Sequence, residues 1–117
     1  METAYIPKAL TASKLQLLSR DLKQSLTNQY GDRFDCLVLF GSYARGDFKA
    51  ESDVDYLVVL TDDIVESGAE IWDMAGVVSD LSDKYDVLIS VKPTSRTKYL
   101  TSELFLYQQA RQEGIQI

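Results

Sequence analysis

Apolar positions follow two rhythms along this chain. Leu15, Leu18, Leu22 and Leu26 recur at helical spacing, with Lys14, Arg20, Asp21 and Lys23 off that stripe. The spacing predicts an amphipathic helix from about Thr11 to Tyr30, stopped by Gly31. Continuous apolar runs then take over: Leu37-Val38-Leu39-Phe40, Tyr56-Leu57-Val58-Val59-Leu60 and Val87-Leu88-Ile89-Ser90-Val91. Short runs rich in Val and Leu read as buried strands. They predict strands over about Asp35–Phe40, Val54–Leu60 and Asp86–Val91, the last broken by Pro93. Asp62-Asp63 resembles a helix N-terminus, since acidic residues favour the positive end of the dipole. A helix over roughly Ile64–Lys84 follows, with Ile71, Ala75 and Val78 on one side. A last helix is expected over about Tyr99–Gln112, closed by Gly114, and Ile115–Ile117 can add a short strand. The long helix between the second and third strands allows a crossover connection. The order predicts one α/β or α+β domain, a small sheet with helices on one side.

Length and charge narrow the function classes. At 117 residues the whole chain, 1–117, is expected to be a single domain. The formal net charge is −6, from 18 acidic and 12 basic residues, which argues against direct nucleic-acid binding. Cys36 is the only cysteine, so no internal disulfide forms, and its apolar surroundings make it a small core residue. No apolar run approaches the ~20 residues that span a bilayer. Met1-Glu2-Thr3-Ala4-Tyr5 lacks the basic and apolar segments of a secretory signal. No membrane association and a cytoplasmic location are therefore expected. The chain has no histidine, which excludes an imidazole base, nucleophile or metal ligand.

The chemistry concentrates at two strand ends. Gly41-Ser42 follows the first apolar run, and ten residues later Asp53-Val54-Asp55 opens the second. A Gly-Ser turn can lay backbone amides against a phosphate. Asp53 and Asp55, at i and i+2 on a strand, share a face. Carboxylates are hard oxygen ligands suited to Mg²⁺ held together with substrate phosphates. Taken alone, Gly41-Ser42 also reads as an ordinary turn, and the Asp pair as a solvated strand start. The run Gly41 to Gly46 has the two-glycine spacing of a P-loop, but Asp47-Phe48 stands where Lys-Ser/Thr would be, so a Walker site is rejected. An EF-hand fails at Leu57 and Val58. Asp86 opens the third apolar run and would lie beside the pair if the second and third strands are neighbours. Three converging carboxylates repel unless divalent metal neutralises them. Two metals ~3.5–4 Å apart can clamp a displacement at phosphorus. Tyr56, Tyr85, Tyr99 and Tyr107 read as core or rim packing, with Tyr43 the best placed to touch nucleotide or partner.

Gly-Ser, ten residues, Asp-x-Asp and a later strand-borne Asp resemble the nucleotidyltransferase superfamily of DNA polymerase beta. Gly-Ser-Tyr-Ala-Arg-Gly, then Ser52-Asp53-Val54-Asp55-Tyr56-Leu57, and a final helix closed by Glu113-Gly114 are similar to its smallest members, the minimal nucleotidyltransferase (MNT) domains. The likeness runs from about Asp35 to the C-terminus, a catalytic core behind the N-terminal helix of about 11–30. It implies a small mixed sheet flanked by helices, the polymerase-beta-like fold. It implies that Gly41 and Ser42 hold nucleotide phosphates, that Asp53, Asp55 and Asp86 bind Mg²⁺ (two ions) and that Asp86 helps deprotonate the acceptor. For Arg45, which matches the family's wording, phosphate contact, partner contact and local ion pairing stay open. Such domains serve as antitoxins beside a HEPN-domain ribonuclease toxin, and some transfer AMP from ATP to a tyrosine of it. The resemblance thus implies a cytoplasmic, Mg²⁺-dependent protein adenylyltransferase in a hetero-oligomer with a HEPN toxin. The alternatives are an antitoxin that occludes its toxin without catalysis, and a small-molecule nucleotidyltransferase subunit.

Overall fold

The computed structural model describes residues 6–117. The segment Met1–Tyr5, weighed above as a secretory signal, lies outside the described residues. Helix α1 spans Ala12–Tyr30, and the Thr11 hydroxyl caps it by accepting the Lys14 N–H at 3.2 Å. Gly31, at φ 56, ends it in a conformation few side chains tolerate. A turn of 3₁₀ helix, Gly31–Arg33, leads into β1, Phe34–Phe40. The remaining elements are α2 (Ser42–Arg45), β2 (Val54–Leu60), α3 (Ser67–Tyr85), β3 (Ile89–Ser95), α4 (Arg96–Thr101), α5 (Phe105–Glu113) and β4 (Ile115–Gln116). The strands form one mixed sheet in the order β3-β2-β1-β4. β1 runs antiparallel to β2 and β4, and β2 runs parallel to β3 through the α3 crossover.

Side-chain alternation along β2 explains the layering. Val54, Tyr56, Val58 and Leu60 pack with Leu18, Leu22 and Leu26 of α1 and Met74 and Leu81 of α3. Leu57 and Val59 point the other way and pack with Val38, Tyr107 and Ala110. Helices therefore cover both faces, not one as the pattern suggested. The second layer escapes a sequence reading because α5 presents little beyond Tyr107 and Ala110 to the sheet. Tyr56 brings a hydroxyl into the larger core, where it meets Ser19 Oγ at 2.7 Å. Burial pushes its pKa up to about 12.

Three further boundaries differ from the periodicity. β3 begins at Ile89 and runs through Pro93, which sits level with Val58. Proline is tolerated there because β3 is an edge strand. The last helix is two: Ser95 caps α4, and Ser102 takes an extended backbone before α5 begins. The Arg111 guanidinium bonds the carbonyls of Tyr99 at 2.7 Å and Ser102 at 2.8 Å, stapling that break. The helix after β2 starts at Ser67, later than the acidic pair Asp62-Asp63 implied, because Asp62 instead bonds Arg33. Among the described residues no helix is long and apolar enough to cross a membrane.

Candidate nucleotide site

The site is built where β1 ends and β2 begins. Antiparallel pairing sets Phe40 opposite Asp55, so the turn after Phe40 falls beside the Asp pair. Gly41 takes φ 75, a left-handed conformation, and a Cβ placed on it would run into the Asp55 carboxylate. Two requirements thus converge on glycine: backbone direction and bare space beside a carboxylate. The Gly41 carbonyl accepts the N–H groups of Ala44 and Arg45, each at 3.1 Å, starting the short α2. The Ser42 and Tyr43 amides belong to the first turn and have no acceptor inside their own helix. Gly46, at φ 88, closes α2 with its N–H on the Ser42 carbonyl at 2.8 Å.

Val54 is buried against α1 and α3, so Asp53 and Asp55 face the opposite side, as their i, i+2 spacing requires. Asp53 is exposed and Asp55 half-buried. Burial first, and then the charge of Asp53, hold the Asp55 carboxyl above the usual carboxylate range, while Arg45 opposes them. Two carboxylates on one face, the half-buried Asp55 disfavoured in its charged form, beside a bare glycine backbone, are the donor set a hard cation with phosphate ligands would relieve. The residues at this end of the sheet therefore fit Mg²⁺ through Asp53 and Asp55.

Asp86 is placed differently from the expectation. It does not open β3 but ends α3, at φ 52 and ψ 53, with its N–H on the Ser82 carbonyl. Among the described residues it is the one non-glycine with positive φ. The parallel register sets Ile89 level with Val54, so Asp86 comes three residues before the paired region, at the Asp53 end of the sheet. Among the described residues no three His, Cys, Asp or Glu side chains lie close enough to share an ion. Asp86 thus reaches this end of the sheet from the closing turn of α3 and not from a strand, because α3 continues to Tyr85 and its closing turn takes up the residues expected to begin the strand.

Arg45 is engaged locally. Its Nε meets Asp47 Oδ2 at 3.1 Å, and its Nη1 lies 3.6 Å from Glu113 Oε2 at the end of α5. Tyr43 is buried, not turned to a ligand. Its hydroxyl accepts the Leu10 N–H at 3.0 Å, and its ring stacks on Phe48 at 4.3 Å. Sequence reasoning missed three supports of the site. Phe48 covers Tyr43, Glu113 ties α5 to the motif, and Asp21 holds the end of α3. The Tyr85 hydroxyl donates to Asp21 Oδ2 at 2.5 Å, and Lys84 Nζ reaches the same oxygen at 2.9 Å, both immediately before Asp86. Glu113 was visible only as part of a helix end, and nothing in spacing links Asp21 to Tyr85.

A glycine turn closed against a carboxylate pair, on a mixed sheet with α1 and α3 behind it, is a geometry suited to holding phosphate and a hard cation together. The nucleotidyltransferase domain family matches residues 21–114, and the chain belongs to that family. It is 36% identical over 84 residues to the Methanocaldococcus jannaschii protein named "Putative protein adenylyltransferase MJ0141", covering 69% of this chain and 83% of that one. Among solved structures, it is similar to one described as "Structure of putative minimal nucleotidyltransferase", at TM-score 0.60 and 23% identity, covering 91% of this chain and 95% of that one. It is also similar to a chain in "Crystal structure of the toxin-antitoxin with AMP-PNP", at TM-score 0.56 and 21% identity, covering 92% of this chain and 72% of the other. At these identities the structural likeness establishes the fold, a minimal nucleotidyltransferase fold.

Proposed function

We propose that this nucleotidyltransferase is a Mg²⁺-dependent protein adenylyltransferase that transfers AMP from ATP to a tyrosine hydroxyl of a HEPN ribonuclease toxin and so acts as an antitoxin. The observation that carries the reading is the closure of Gly41 against Asp55, with Asp53 on the same face. The name of the M. jannaschii relative supports a protein acceptor, and the toxin–antitoxin description of the structural neighbour supports the partner.

In this reading the Ser42 and Tyr43 amides and the Ser42 hydroxyl hold the nucleotide phosphates. The bare Gly41 backbone lets the triphosphate approach Asp55. Mg²⁺, when bound, neutralises phosphate charge and lowers the acceptor's pKa. Asp53 and Asp55 are the residues that would hold it. The acceptor oxygen forms a bond to the α-phosphorus, the bond from that phosphorus to the bridging oxygen breaks, and pyrophosphate leaves. Asp86 is proposed to take the acceptor proton, from its place at the same sheet end. Arg45, tied to Glu113, keeps α2 fixed under the phosphates. Positioning and electrostatics carry most of such a transfer.

Incubating the chain with its genomic neighbour, ATP and Mg²⁺ tests this reading. The neighbour's mass should rise by one or more AMP units, on tyrosine, with loss of its toxicity. An unchanged mass with full protection would favour an antitoxin that works by occlusion. That second reading has one observation in its favour, the placement of Asp86 in the closing turn of α3 and not on a strand beside the pair.

A further inference from the structure

The catalytic end of the sheet uses neither the outer face of α3 nor the charge gathered there. Seven of the 18 acidic residues but one of the 12 basic ones fall between Asp62 and Tyr85. Asp62 and Glu70 are answered by Arg33, at 3.0 and 2.6 Å. Asp63, Glu66, Asp73, Asp80 and Asp83 stand exposed. Within this acidic field lies Trp72, the only tryptophan, 81% exposed. Ile71 beside it is 45% exposed. Ile71, Ala75 and Val78 of α3 form one wall of an open groove of about 370 Å³, and Ile89 and Val91 of β3 form the other.

Gly76 is the second observation. It sits inside α3, where glycine costs roughly 1 kcal/mol against alanine. Its φ is ordinary, and a Cβ there would meet nothing within 4 Å. Among the described residues nothing requires a glycine at this position. A missing side chain one turn from an exposed tryptophan suits the close approach of another helix. An added strand is the poorer occupant, because Pro93 and Lys92 blunt the β3 edge. A second copy meeting through the same face would set acid against acid.

We infer that the outer face of α3, with Trp72 as anchor and Gly76 as the point of closest approach, docks a basic amphipathic helix of the protein that receives the nucleotide. The inference rests on the protein-acceptor reading above. Trp72 lies thirteen residues before the end of α3. At a rise of ~1.5 Å per residue that is about 20 Å along the helix from the catalytic end. The face is therefore an anchoring surface, separate from the chemistry, that raises the local concentration of the acceptor at an open site. Lys and Arg on the docking helix answer the exposed acids, which steers encounter and makes binding weaken with salt.

The experiment measures binding of the purified chain to the protein encoded beside it, by calorimetry and by the emission of Trp72. Wild type should bind with a blue shift of that emission and should bind more weakly as salt rises. Gly76→Gln, which raises helix propensity and so cannot fail through loss of α3, should melt higher yet bind about tenfold or more weakly. Trp72→Ala should raise KM for the protein acceptor with kcat unchanged. Asp53→Asn with Asp55→Asn should bind fully and transfer nothing. Full binding by Gly76→Gln and Trp72→Ala overturns the docking face and leaves the adenylyltransferase reading standing. Absence of binding by wild type overturns both. A wild-type dimer that Gly76→Gln dissolves also overturns the inference, since the face would then belong to self-association.

Discussion

Gly41 and Asp55 are mutually dependent. The glycine backbone occupies a left-handed conformation, and its missing side chain is the space the Asp55 carboxylate fills. Gly41→Ala is expected to lose about 1–3 kcal/mol from backbone conformation alone, and to push Asp55 aside as well. Nucleotide use should therefore fall further than a melting curve would account for, read by comparing thermal unfolding with ATP-dependent transfer. Asp55 gives a pH prediction. Its carboxyl binds a proton more tightly in the folded chain than in the unfolded one, because burial and Asp53 disfavour its charge. The stability of metal-free protein should therefore fall as pH rises from the ordinary carboxylate value, ~3.9, through the raised one. Asp55→Asn should raise the melting temperature in chelator at neutral pH and change it little well below that ordinary value. A melting temperature lowered at neutral pH would contradict the account. The shared face of Asp53 and Asp55 was legible in sequence because their spacing alone sets it. The engagement of Arg45 and the burial of Tyr43 were not legible. Both depend on partners, Glu113 and Leu10, about 70 and 33 positions away, that no local pattern connects.

At the scale of elements, the long periodic stretches carried their own assignment. The Leu stripe of α1 and the apolar runs of β1 and β2 were readable because each buries a face against the larger core. Leu22 shows the dependence: its complete burial predicts a loss of about 2–5 kcal/mol for Leu22→Ala. Ends were less legible, because hydrogen bonds between distant residues decide them. The end of α3 is the instance that matters for function. Spacing suggested a strand beginning at Asp86, whereas Tyr85 and Lys84 fasten the helix end to Asp21 of α1. The Tyr85 hydroxyl, then Lys84, holds the Asp21 carboxyl below its usual range. That contribution to stability is present above the unfolded value and is lost as pH falls through the lowered one. Tyr85→Phe should therefore narrow the acid range over which the fold survives, measured as melting temperature against pH. It should also lower transfer at neutral pH, by loosening the backbone that places Asp86. Wild-type transfer by Tyr85→Phe would show that Asp86 needs no such support.

Across the whole molecule, the two ends of the sheet and its two faces divide the work. One end carries the Gly41 turn and the Asp53–Asp55 pair. The outer helix α3 with the turn before it, Asp62 to Tyr85, carries seven acidic residues and one basic one, away from the face the Asp pair presents. In the reading proposed above, another protein brings the acceptor to this end of the sheet. The overall order of elements and the single sheet were foreseeable from patterning. The layer of α4 and α5 on the side of the Asp pair was not, because so few apolar residues mark it. The central claim is nucleotidyl transfer at this site, and the fate of the α-phosphate tests it most directly. ATP labelled at the α-phosphate and ATP labelled at the γ-phosphate should be compared, with the neighbouring protein as acceptor and wild type beside Asp53→Asn with Asp55→Asn. The account predicts that only α-label enters the acceptor, that γ-label leaves as pyrophosphate, and that the double variant transfers neither. Transfer of γ-label, or α-label transferred undiminished by the double variant, would contradict it.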